Sequence, residues 1–266
     1  MKNLWQKCAA AGLLAAITII LSPQLSARAA YAYELLVYNL APTSERALYY
    51  GQKHFDSLRG SHDYDIDSAE YFFTRAVAIE PVHPAAYHEL SRVAFLRGNL
   101  LTALALINIQ IGRFEKDVPN AYYVRALIEG YLGRYDEAAL DYEHYISLQE
   151  APGWAAYNDL AWVLLKANRP RDAARAAARG IAAHPQNPWL YNSFAIALYE
   201  SGEREAALAA AETALYFADV VTDEMWLRAY PGNDPRVSAS GADDFRAVLG
   251  QNMHTIDAET ARSLIQ

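Results

Sequence analysis

From about residue 43 to residue 221 the apolar positions neither alternate nor form one long run. They fall in clusters with helical spacing, separated by short polar stretches that carry glycine or proline. Laid against itself, the chain shows a register. Tyr87, Tyr122, Tyr157 and Tyr191 recur at spacings of 35, 35 and 34 residues. Four places after each tyrosine stands a small residue (Ser91, Ala126, Ala161, Ala195), and sixteen places after it an alanine (Ala103, Ala138, Ala173, Ala207). Eleven places on, three units have glycine (Gly98, Gly133, Gly202) and the other has Asn168. Chance does not hold such a pattern over four units, so a repeat architecture is predicted.

Each unit reads as two antiparallel helices. The tyrosine and the small residue, at i and i+4, share one stripe of the first helix. Gly or Asn then supplies the left-handed backbone that ends it. The second helix presents its alanine where the two approach. Pro81, Pro185 and, less regularly, Pro119 and Pro152 separate the units, because proline cannot continue a helix interior. Ala69, Phe73, Ala76 and Pro81 fit the second helix of an earlier, degenerate unit, whose first helix Lys53 and Ser57 fit poorly. Asp67 with Glu70 reads as a capping box opening that helix. The preceding run from His62 to Asp67 has aspartates at three alternate positions, but it lacks the closing glycine and glutamate of a calcium loop and reads as a solvated turn.

These residues resemble the tetratricopeptide repeat (TPR) family. Tyr157, Leu160, Ala161, Ala173 and Pro185 match its pattern in one unit, and Tyr191, Ala195, Gly202, Ala207 and Ala214 in the next. Ala177, Gly180, Ala211 and Asp219 depart from it. The resemblance implies an all-α, right-handed superhelical solenoid of about five units, near residues 43–83, 84–118, 119–153, 154–187 and 188–221, closed by a C-terminal helical cap over 222–266. It also implies a concave face lined by the first helices, whose side chains one, five, eight and nine places after the tyrosine would meet a ligand. Those positions hold His88, Arg92, Phe95 and Leu96; Tyr123, Leu127, Gly130 and Tyr131; Asn158, Trp162, Leu165 and Lys166; and Asn192, Ile196, Tyr199 and Glu200. An aromatic surface with a few hydrogen-bonding groups suits an extended or helical peptide of a partner protein. The same aromatics could equally pack between units.

Outside the repeats, residues 1–29 have the layout of a secretory signal: Lys2 and Lys7, an apolar run from Ala9 to Leu21, and Ala27-Arg28-Ala29 before a cut after Ala29. That run is short of the roughly 20 residues that span a bilayer, so a retained anchor is the alternative reading. Residues 30–42 read as a linker. In the tail, Asp223–Tyr230 reads as one helix, Pro231–Pro235 as a turn, Ser240–Gly250 as a second helix and the stretch from Asp257 as a third.

The remaining chemistry narrows the function. A composition of 53% hydrophobic and 20% charged residues is that of a folded chain with a core. The net charge of −8 becomes −11 once Lys2, Lys7 and Arg28 are removed, which disfavours nucleic acid or an anionic membrane as partner. The one cysteine, Cys8, lies in the leader. No phosphate loop, nucleophile elbow or His-Glu-x-x-His helix is present, and the histidines are scattered, so no cofactor or metal is expected. The expectation is an exported, non-enzymatic scaffold in the periplasm or secreted. One alternative is a structural part of an envelope complex. Another is an enzyme using Asp243, Asp244, His254 or Asp257 in the tail.

Overall fold

The computed structural model of the protein describes residues 23–55, 65–83, 85–114, 119–229 and 241–265. The apolar core of the leader, residues 62–64 and the Pro231–Pro235 turn lie outside these ranges. The described residues form thirteen helices and no strand, in two compact units, residues 1–86 and 87–266. The all-α class implied by the repeat pattern is the one observed.

The first unit contains α1 (Pro23–Leu40), α2 (Ser44–Phe55) and α3 (Ile66–Ile79). The stretch read as a linker is therefore helical through Leu40. Its inward stripe is Tyr31, Leu35 and Tyr38, packed with Ala47, Phe72 and Ala76. Buried Glu34 ties α1 to α2 by pairing with Lys53 and, at 2.9 Å, with His54. Helix α3 is capped by Asp65 rather than Asp67. Asp65 is extended (φ −145°, ψ 103°), and its carboxylate accepts from the Asp67 and Ser68 amides at 3.0 and 3.3 Å, whereas Asp67 is already helical.

The second unit stacks four helix pairs: α4 (Ala86–Leu96) with α5 (Leu100–Phe114), α6 (Asn120–Tyr131) with α7 (Tyr135–Leu148), α8 (Trp154–Lys166) with α9 (Pro170–Ala183), and α10 (Pro188–Glu200) with α11 (Arg204–Ala218). Each turn within a pair is closed in the same way. Gly98, Asn168, Gly133 and Gly202 have φ between 58° and 86°. Around them the amide of the next residue reaches back to a carbonyl near the helix end, as in Asn99 to Ala94 and Glu203 to Leu198, both at 2.9 Å.

The small residues of the register meet as expected. Ala126, Ala138, Ala161, Ala173, Ala195 and Ala207 are all at most 1% exposed, and the Ser91 hydroxyl donates to the Ala103 carbonyl at 2.8 Å. Gly180 stands where the family commonly has a slightly larger residue, and the reason is steric. A Cβ there would lie 2.6 Å from Leu190 Cδ2 and 2.8 Å from Tyr157 Cβ.

The unit ends with α12 (Asp223–Ala229) and α13 (Gly241–Ile265). The sequence suggests a break in the tail near Gly250; instead one helix runs through it. Phe245, Leu249 and Ile256 form a continuous stripe against α10, α11 and α12, with Met253 beside them. Their burial outweighs the cost of about 1 kcal/mol for an interior glycine.

These two glycines predict opposite effects. Gly180→Ala should destabilise the protein by roughly 1–3 kcal/mol through overpacking against Tyr157 and Leu190. Gly250→Ala, with nothing within 4 Å of the added carbon, should stabilise it by about 0.5–1 kcal/mol. Urea midpoints of the two variants against wild type measure both.

Candidate functional site

The first helices of the four pairs, α4, α6, α8 and α10, carry every side chain that the repeat register assigns to ligand contact. The structure sorts those residues into three groups.

Three of them form an aromatic row across successive helices. Phe95 of α4 meets Tyr131 of α6 edge-on at 5.1 Å between centroids, and Tyr131 meets Trp162 of α8 at 5.7 Å. Gly130 makes the second contact possible, because a Cβ there would fall 2.8 Å from the Trp162 ring. Trp162 also touches Tyr135 at 6.5 Å. It is thus half-buried in the row, while Tyr131 stands out at 60% exposed. Lys166 is exposed one turn beyond Trp162, and Leu165 is half-buried against the core.

A second group forms a polar ladder, in which a side chain one place after the reference tyrosine bonds to the next helix. The Tyr123 hydroxyl donates to the Asp159 carboxylate at 2.5 Å. The Ser193 hydroxyl donates to the Asn158 amide oxygen at 2.8 Å. Asn252 of α13 donates to the Asn192 amide oxygen at 3.0 Å. Asn158 Nδ2 also reaches Asp159 at 3.4 Å. The two equivalent asparagines therefore both bond to the helix that follows. Asp159 and Ser193, two places after their tyrosines, are not singled out by the sequence reading. A polar residue at this position in consecutive units is the signal that could have found them.

The third group is more dispersed. Arg92 pairs with Glu89 at 2.9 Å along α4. His88 is half-buried, and burial lowers its pKa. Its backbone amide donates to Gln110 at 3.1 Å. Leu127 and Ile196 are half-buried, Leu96 likewise, and Glu200 is exposed. Tyr199 packs into the cluster of Ile256 and Met253 from α13.

Two carboxyls in this region are electrostatically unusual. Glu129 sits seven places after Tyr122, where the other units bury Ala94, Leu164 and Leu198. It is 8% exposed, and its Oε2 has no hydrogen-bond partner. Burial, reinforced by Asp141 and only partly offset by Arg125, raises its pKa to about 7. Asp141 itself is held by two of the three guanidinium nitrogens of Arg125, Nε and Nη2, at 2.5 and 2.8 Å. Asp159 is raised by burial to about 6 against the bonds from Tyr123 and Asn158. Beside them the fully buried Tyr142 hydroxyl has no partner.

Among the described residues, no group of three or more His, Cys, Asp or Glu side chains could hold a metal, and no helix is long and apolar enough to cross a membrane. Asp243, Asp244, His254 and Asp257 are exposed along α13. Asp243 pairs with Arg246 at 2.5 Å.

No family model matches the sequence, and comparison with curated proteins finds no match. Solved structures do resemble the fold. A structure of the MamA protein aligns with TM-score 0.56 at 17% identity, covering 66% of this chain and 92% of its own. YrrB, a TPR protein described as having an unusual peptide-binding site, aligns with TM-score 0.50 at 17% identity over 71% of this chain and 97% of its own. TTC0263, a thermophilic TPR protein of Thermus thermophilus, aligns with TM-score 0.50 at 18% identity over 66% of this chain and 92% of its own. At such identities the likeness is one of fold, and the fold is TPR-like.

The two raised carboxyls predict how stability depends on pH. Where a folded-state pKa lies above the unfolded value, the folded state binds more protons. The contribution of Glu129 and Asp159 to stability then falls as pH rises from about 4 to about 7, and is level above that. Glu129→Gln should therefore raise stability at pH 8 by roughly 1–3 kcal/mol and flatten the slope between pH 5 and 7. Chemical denaturation of both proteins at pH 5 and pH 8 tests this; an unchanged slope would show that Glu129 is not the titrating group.

Proposed function

We propose that the protein is an exported interaction scaffold that binds a peptide or protein segment on the face of its first helices. The observation that carries this is the row Phe95, Tyr131 and Trp162. Three neighbouring helices place aromatic rings in contact, and the central ring remains largely open to solvent. Exposed aromatic anchors flanked by polar groups are the usual energetic centres of a peptide site. The resemblance to YrrB, whose own site binds peptide, is consistent with this use of the fold.

Export to the periplasm or the medium rests on the leader. The described contacts that anchor α1, those of Tyr31, Glu34, Leu35 and Tyr38, all follow Ala29. A second reading is a structural part of an envelope assembly. In its favour, Tyr33, Leu36 and Leu40 project from α1 at 60–77% exposure, spaced for one helix face.

Two measurements test the proposal. Tyr131→Ala with Trp162→Ala should reduce recovery of partner proteins from the exported fraction at least tenfold, while helical content by circular dichroism is retained; equal recovery would exclude the aromatic row as the site. The intact mass of the exported protein should correspond to a chain beginning at Ala30. A mass that includes the leader would favour the tethered form.

A further inference from the structure

On the edge of the second unit away from the glycine turns, an open cavity of about 930 Å³ lies among the start of α8, the loop before α10, the end of α11 and α12. Its position follows from a departure in the repeat. Asp219 stands where the preceding unit has Pro185, and both line the cavity.

The walls are aromatic. Trp189 is fixed between Trp154 at 4.9 Å and Phe245 at 4.7 Å, near-parallel to both, so neither of its faces is free. Trp154 ends this stack. Phe217 leans on Tyr191 at 5.5 Å, whereas Tyr216 is 75% exposed and touches Phe217 at 5.4 Å.

Asp219 is the one Asp or Glu among the lining side chains, and the Arg246 guanidinium lies behind them, donating to the Ala218 and Val221 carbonyls at 3.2 and 2.8 Å. Asp219 is exposed and forms no ion pair among the described residues. The lining contains neither Lys nor Arg. Its one histidine, His184, has Nε2 bonded to the Pro152 carbonyl at 2.9 Å. Aromatic faces are electron-rich, and an unpaired carboxylate beside them adds to the same potential. The chain as a whole, at −8, draws the same class of ligand.

From this complementarity we propose that the cavity binds the guanidinium of an arginine side chain carried by a partner peptide, stacked on Tyr216 and bonded to Asp219. The two residues are three apart at the end of α11, the spacing of side-chain neighbours. Guanidinium suits them better than ammonium, because it is planar, weakly hydrated and able to stack while its edge donates to a carboxylate. This site does not depend on the aromatic row of α4, α6 and α8.

The test uses the full chain and three capped tripeptides, acetyl-Ala-X-Ala-amide, in which X is arginine, lysine or citrulline. Binding is followed by tryptophan fluorescence, since Trp154 lines the cavity. The arginine peptide should saturate the signal, the lysine peptide should bind at least threefold more weakly, and the neutral citrulline peptide should not bind. Tyr216→Ala and Asp219→Asn, both at exposed positions, should each weaken the arginine peptide at least fivefold, whereas Tyr131→Ala should leave it unchanged. Equal binding of the citrulline peptide, or no effect of either cavity variant, would overturn the proposal. Ethylguanidinium binding as tightly as the arginine peptide would overturn the peptide source.

Discussion

The close approach of two helix backbones within each pair is the constraint on which the second unit depends. Ala126, Ala138, Ala161 and Ala173 share one core cluster and Ala195 and Ala207 another, and all six are essentially solvent-free. A distance set by methyl groups brings the helix ends near enough for a three-residue turn, and only a left-handed residue closes that turn. Gly98, Gly133, Asn168 and Gly202 are thus consequences of the alanine seam. The seam also fixes how far each first helix stands from the next. Tyr131 and Trp162 meet as they do because Gly130 lets the indole approach the backbone of α6.

Against this regular apolar frame, the polar groups between units carry a cost. The ladder of Tyr123 to Asp159, Ser193 to Asn158 and Asn252 to Asn192 satisfies most of its donors and acceptors. Asp159 nevertheless has a raised pKa, because burial outweighs two hydrogen bonds. Glu129 is more costly, since it replaces an apolar core residue and leaves one oxygen without a partner. Leucine at that position, as in the next two units, would pack without charge. The pair Arg125 and Asp141 compensates only in part, because Asp141 repels the same carboxyl that Arg125 attracts.

How much of this was legible in the sequence follows from which interactions repeat. The seam, the turns and the reference tyrosines recur every 34 or 35 residues, so their spacing alone reveals them. Gly180 reads as a departure from the pattern, and only Leu190 and Tyr157 show why a methyl cannot fit there. The end of the chain has no second copy to compare with, and local signals fail: Gly250 reads as a stop, yet packing on α11 carries the helix through it. Asp67 and Asp65 illustrate the same ambiguity at one helix start, where two aspartates compete and only backbone geometry selects between them. For the ligand face, the sequence supplies positions but cannot show that Asn158 and Asn192 are bonded to the following helix.

Helix α13 explains why the stack ends where it does, and it limits where a ligand can bind. It presents Asn252 to Asn192, as the first helix of another unit would present its own polar residue, and it sets Ile256 against Ala195, Leu198 and Ala207. The last alanine seam is thereby buried without a further repeat, which is what a solenoid terminus requires. The same contacts engage the Asn192 amide oxygen and one side of Tyr199. On the proposed reading, α10 therefore contributes less to recognition than its register suggests. The binding energy would be concentrated on α4, α6 and α8, where the aromatic row keeps Tyr131 60% exposed.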